Sequence, residues 1–145
     1  GEARMFDGKD GAGIRLLRRA GVLTGVISGG SSAAVRRRVQ ELGMEEVHLR
    51  VRDKLLVYRE ILRRRRLRDE RVCFIGDDVV DLGVLSRAGL PAAPADAHPE
   101  VLKAAKFITR SAGGHGAVRE VADLILNAQG RMNDLLLAFR RGEDS

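Results

Sequence analysis

The chain has 145 residues, 44% of them hydrophobic and 32% charged, which suits one domain with a real core and excludes a disordered polymer. A single cysteine, Cys73, allows no disulfide framework within the chain and points to a reducing compartment, taken here as the cytoplasm. The net charge of +6 and pI of about 10.4 invite a nucleic-acid reading, but an aromatic content of 3% leaves few base-stacking platforms.

Of the 26 basic residues, Lys9, Lys54, Lys103 and Lys106 are the 4 lysines and the other 22 are arginines. The densest cluster, Arg63-Arg64-Arg65-Arg66 with Arg68, reads as a solvated helix end, where cations suit the helix dipole. Nucleic acid is therefore the weaker partner. No apolar run approaches the ~20 residues that a membrane span needs, so no membrane partner is expected. The first residues, Gly1-Glu2-Ala3-Arg4, do not resemble a signal peptide.

In chain order, Met5-Phe6 suggests a short strand. Turns follow, then a helix over 12–20 whose apolar stripe is Ile14, Leu16, Leu17 and Ala20, closed by Gly21. The segment 22–27 predicts a strand running into Ser28-Gly29-Gly30 and then a helix over 32–42 closed by Gly43. A strand that ends in Ser-Gly before a helix is an anion site in principle, because glycines let N–H groups approach a phosphate. Ser and Gly are also ordinary loop residues, so that signal alone decides nothing. A short strand is expected at 46–49. Asp53 then suits the N-cap of a helix, which leaves Lys54 in the first turn, unfavourably placed against the dipole. Lys54 makes better sense facing a bound anion, although a solvent-facing lysine fits the position equally. His48 reads as a partly exposed strand residue rather than a ligand.

The organising stretch is Val72-Cys73-Phe74-Ile75-Gly76-Asp77-Asp78-Val79-Val80-Asp81. Four apolar residues in a row predict a buried parallel strand. It delivers Asp77, Asp78 and Asp81 to the carboxyl end of the sheet, where ligands bind in open α/β folds. Asp78 alone would suit a helix N-cap. Three crowded carboxylates instead point to a hard cation, and Mg²⁺ commonly bridges carboxylates and a substrate phosphate. Beyond them the pattern predicts a helix stopped by Gly89, a strand at 90–93 whose ladder is broken by Pro91, and a short helix at 101–105. A last strand at 106–109, a mobile glycine loop at 113–116, a helix at 117–128 and a further apolar segment around Leu135 follow. Alternating strands and helices give a doubly wound, mostly parallel α/β sheet. The core is expected over 1–130, with 131–145 as a C-terminal helix and tail.

The order Ser28, Lys54, Gly76-Asp77-Asp78 and Asp81 resembles the haloacid dehalogenase superfamily of phosphoryl-transfer enzymes. The segments Asp10-Gly11-Ala12-Gly13, Ile27-Ser28-Gly29, Asp53-Lys54, Ile75-Gly76-Asp77-Asp78, Ala95-Asp96-Ala97-His98-Pro99-Glu100 and Gly116-Ala117-Val118-Arg119-Glu120-Val121 look like the capless 3-deoxy-D-manno-octulosonate 8-phosphate phosphatases of lipopolysaccharide sugar synthesis. The resemblance implies a Rossmann-like core and a Mg²⁺-dependent phosphatase acting on a sugar phosphate through an aspartyl-phosphate. It implies that Ser28, Gly29 and Lys54 hold the phosphoryl group, with Ser28 and Lys54 in catalytic positions. It implies that Asp77 ligates Mg²⁺, that Asp78 and Asp81 support or complete the metal site, and that the protein is a homotetramer whose subunits help close each site.

The departures from that pattern are specific. The family's nucleophile lies in an Asp-x-Asp-Gly motif on the first strand, and this sequence has none. Asp7-Gly8-Lys9-Asp10-Gly11 is the nearest match and follows no apolar strand. The nucleophile strand is thus expected upstream of the chain or lost. Gly30 and His115 stand where the family usually has arginine, and Val80 where it commonly has asparagine. A non-catalytic phosphate-binding or assembly homologue is the alternative expectation.

Overall fold

The computed structural model describes residues 8–143, with side chains from Asp10 onward. The strand expected at Met5-Phe6 lies outside them. Helix α1 (Gly8–Arg19) leads to β1 (Gly25–Ile27), α2 (Ala33–Leu42), β2 (Glu46–His48) and α3 (Lys54–Arg65). Strand β3 (Cys73–Ile75), a 3₁₀ turn (Val79–Asp81) and α4 (Leu82–Leu85) form the acidic segment. Strand β4 (Leu90–Ala93), α5 (Pro99–Ala104), β5 (Phe107–Ile108), α6 (Ala117–Ala128) and α7 (Met132–Arg140) complete the order.

Among the described residues every strand pair is parallel, as βαβ crossovers require. Among the described residues, however, the strands form two sheets rather than one: β1–β2, and β3–β4–β5. Gly25 pairs with Glu46 in the first, and Phe74 with Pro91 in the second. Pro91 thus sits in a central strand. Its carbonyl still accepts from Lys106 N at 2.8 Å, and β5 pairs with β4 only from Ala92 onward, so the missing N–H falls where little ladder exists.

The strands are shorter than the apolar runs suggest, because side chains capture the flanking backbone. The Glu45 carboxylate accepts from Thr24 N at 2.8 Å and from Thr24 Oγ1 at 3.2 Å, ending β1 before Gly25. Burial would raise the Glu45 carboxyl, but the Thr24 N–H and the Arg18 guanidinium outweigh it and hold it below the usual range.

The helix termini follow local chemistry. Ser32 caps α2 by accepting from Val35 N, Gly43 closes it at φ +65°, and Asp53 caps α3 by accepting from Leu56 N. The arginine run at the end of α3 is only partly solvated. Arg64 and Arg65 each reach Glu46 at 2.7 Å and tie α3 to the start of β2. Arg64, assisted by His48 and Arg65, holds the Glu46 carboxyl down at about 2 against the opposing effect of burial.

Two packed clusters flank the strands. One joins Leu17, Ala122, Leu126 and Leu135 of α1, α6 and α7. The other joins Leu85, Ala93, Ala97 and Val101, with Phe74 packed against it. The α1–α6 contact is close because Gly13 faces α6: a Cβ there would lie 3.1 Å from Arg119 Cα. The same helix pair is locked by Asp10, which is 2% exposed and accepts from Val118 N at 3.0 Å and more weakly from Gly116 N and Arg119 N. Gly116, at the N-cap of α6, has no side chain to do this. Asp10→Ala is expected to cost about 2 kcal/mol in urea denaturation, at the upper end for caps because the site is buried, and Asp10→Asn markedly less.

The glycine loop, expected to be mobile, is tied at several points. Gly113 N donates to Asp96, and the Glu120 carboxylate accepts from Arg110 N and Ser111 N.

Candidate active site

The carboxyl ends of β1, β2 and β3 open on one cleft. Gly29, Val51, Arg52, Lys54, Asp77, Asp78 and Val80 line it, and its volume is about 180 Å³. Two loops that follow different strands are zipped together at its edge. Ser28 N donates to His48 O at 2.9 Å, Val51 N to Ser28 O at 2.9 Å, and Arg50 N to Gly30 O at 3.2 Å. Ser28 itself is 2% exposed, and its Oγ accepts from Gly30 N at 3.1 Å. Gly29, not Ser28, is the residue of this loop that lines the cleft, and the Ser28 hydroxyl keeps its own proton to donate.

Lys54 resolves the puzzle of a lysine at a helix N-terminus in a way the sequence did not reveal. It is buried, and its Nζ lies 2.7 Å from Asp81 Oδ1, with side-chain exposures of 6% and 3%. The anion it faces is therefore partly internal. Asp81 in turn uses its second oxygen, Oδ2, to accept from Asp77 N at 3.0 Å and Asp78 N at 3.3 Å. This closes a capping box with Asp78, whose Oδ1 accepts from Val79 N. Gly76 makes the tight turn possible, since a Cβ there would lie 2.6 Å from Asp81 Cβ.

These contacts bear on the expected metal set. Asp81, expected to support or complete a metal site, has both oxygens engaged by an ammonium and two amides. Asp77 and Asp78 are exposed and line the cleft. The Asp77 backbone is held on both sides, because its carbonyl also accepts from His98 N at 2.9 Å. Among the described residues no group of three His, Cys, Asp or Glu is arranged to hold a metal. Two carboxylates with substrate oxygens and water suit Mg²⁺, which seldom takes an all-protein cage. A donor set that includes Asp77 and Asp78 fits that ion, and the Asp81 carboxylate holds the backbone of both.

Val51 and Arg52 line the cleft and were not singled out by sequence. The available signal was their position just ahead of Asp53-Lys54, in the loop that follows a strand. Gly30 belongs to the zipped loop but not to the lining. His115 is exposed on the glycine loop. His48 packs its Nε2 2.8 Å from Glu46, away from any ligand role. Cys73 lies in β3, and burial pushes its thiol up to about 12, so it stays protonated. Among the described residues no helix is long and apolar enough to cross a membrane.

Known proteins resemble this chain in sequence and in fold. The family model for haloacid dehalogenase-like hydrolases matches residues 39–121. A 3-deoxy-D-manno-octulosonate 8-phosphate phosphatase of Yersinia pestis is 40% identical over 131 residues, covering 90% of this chain and 70% of its own length. The structure of the Moraxella catarrhalis phosphatase of the same name, in complex with magnesium, phosphate and KDO, superposes with a TM-score of 0.91. It is 32% identical and covers 96% of this chain and 80% of its own. The cobalt-bound form of the Haemophilus influenzae phosphatase gives a TM-score of 0.84 at 35% identity, covering 89% of this chain and 75% of its own.

Proposed function

The chain belongs to the haloacid dehalogenase-like hydrolases and, within them, to the 3-deoxy-D-manno-octulosonate 8-phosphate phosphatases, and on that premise we propose that it is a Mg²⁺-dependent phosphomonoesterase acting on that sugar phosphate in the cytoplasm. The observation that carries the reading is the convergence of Gly29, Lys54, Asp77 and Asp78 on one cleft at the carboxyl ends of parallel strands. Phosphoryl transfer asks a protein mainly for positioning and charge neutralisation. The Gly29 loop and the Ser28 hydroxyl present donors to the phosphoryl oxygens. Lys54, held by Asp81, adds fixed positive charge. Asp77 and Asp78 would hold Mg²⁺, which supplies further neutralisation of the phosphoryl oxygens.

The nucleophile belongs to a strand preceding α1 and seated between β1 and β3. Two observations support this. Strands β1 and β3 lie in separate sheets among the described residues, yet both deliver residues to one cleft. Asp10, in the nearest Asp-rich segment, is committed to capping α6 and is unavailable for attack. The carboxylate of that strand attacks phosphorus and the sugar oxygen leaves. Water then hydrolyses the aspartyl-phosphate to release inorganic phosphate. The cleft is small for a whole sugar phosphate, and Val79 and Val80 stand exposed beside it, which supports a homotetramer whose neighbouring subunit covers the sugar.

The engagement of Asp10 also favours a second reading, a homologue that binds phosphosugar without hydrolysing it. Phosphate release by the full-length protein separates the two. The phosphatase reading expects Mg²⁺-dependent release from 3-deoxy-D-manno-octulosonate 8-phosphate that stops in EDTA. Binding of sugar phosphates with no release from any of them would establish the second reading instead.

A further inference from the structure

Resting on the phosphomonoesterase reading, we propose that Arg52 is a specificity-determining residue that binds the carboxylate of a sugar-acid phosphate, outside the subsite for the phosphoryl group. Arg52 is exposed and lines the cleft. Among the described residues Arg52 has no acidic partner, and it is the one such arginine in the cleft lining. The other cation of the lining, Lys54, is buried against Asp81 and cannot leave it without stranding a charge.

The Arg52 backbone is fixed relative to the phosphate loop. The preceding residue, Val51, donates to Ser28 O, and the following residue, Asp53, caps α3. The Arg52 backbone is therefore held next to the Gly29 loop, and its side chain is exposed. A cleft of about 180 Å³ is below the usual range for ligand pockets and suits a phosphoryl group better than an eight-carbon acid. The rest of such a substrate must extend beyond it, past exposed lining residues such as Arg52. A planar guanidinium offers a carboxylate two parallel donors, a geometry that lysine does not reproduce.

The test is the steady-state KM of the full-length protein in Mg²⁺ for 3-deoxy-D-manno-octulosonate 8-phosphate and for a neutral-sugar phosphate, with the inhibition constant of inorganic phosphate as the third affinity. For Arg52→Ala the expected result is affinity at least ~10-fold weaker for the sugar-acid phosphate, the loss typical of a charge-assisted pair. Affinity for the other two ligands should stay within about 2-fold, and Arg52→Lys should recover only part of the loss. Equal weakening for all three ligands, or no change for any, overturns the inference and leaves the phosphatase reading standing. Wild-type protein that binds none of the three overturns both.

Discussion

Replacing Lys54 by methionine is expected to remove about 3–5 kcal/mol of folding stability together with phosphate binding. The magnitude follows from what is left behind, not from what the pair contributes. Asp81 is 2% exposed, and without the ammonium at 2.7 Å its carboxylate is a buried, uncompensated charge. A typical domain has only 5–15 kcal/mol in total, so the variant should unfold at far lower urea. The loss also spreads, because Asp81 Oδ2 holds the Asp77 and Asp78 amides in place. A second variant separates folding from function. Lys54→Met combined with Asp81→Asn removes the stranded charge and keeps an oxygen for the amides. It should regain a large part of the stability, a coupling that a double-mutant cycle reads directly. It should regain no phosphate affinity. Recovery of both would mean that Lys54 serves the fold alone.

The second large effect is expected at Asp77. Asp77→Asn should lower turnover by at least about 10²-fold, the scale for losing one pre-organised electrostatic contact in a reacting site. Mg²⁺ affinity should fall with it. The change is at an exposed position whose backbone is held by Asp81 and His98, so the melting curve should move far less than for Lys54→Met. Asp78→Asn should be milder on both counts, because an amide oxygen can still accept from Val79 N. Equal turnover in wild type and Asp77→Asn, measured at saturating Mg²⁺, would remove Asp77 from the site.

Local signals in the sequence were legible because their partners are near in the chain. Asp53 accepts from Leu56 N and Ser32 from Val35 N, three residues on, and Gly43 closes α2 in the left-handed conformation that glycine favours. The apolar run at 72–75 and the carboxylates after it likewise declared a strand that ends at a ligand edge. What failed were long-range polar partners. Nothing in the sequence pairs Lys54 with Asp81 across 27 residues, so the internal partner of a lysine read as facing a bound anion was not visible. Arg64 and Arg65 read as solvated charges because Glu46, which they hold, is 18 and 19 residues away. Asp10 looked like a turn residue because the helix it caps lies 108 residues further on. That β1 and β3 lie in separate sheets among the described residues was not legible either. Strand pairing is not encoded in any single run of residues.

Calorimetric titration of inorganic phosphate into the full-length protein, with Mg²⁺ and then with EDTA, tests most directly whether these separate segments build one phosphate site. A single site is expected, whose affinity collapses in EDTA and in Asp77→Asn. Affinity that is the same with and without the metal, or no binding in either condition, would contradict it.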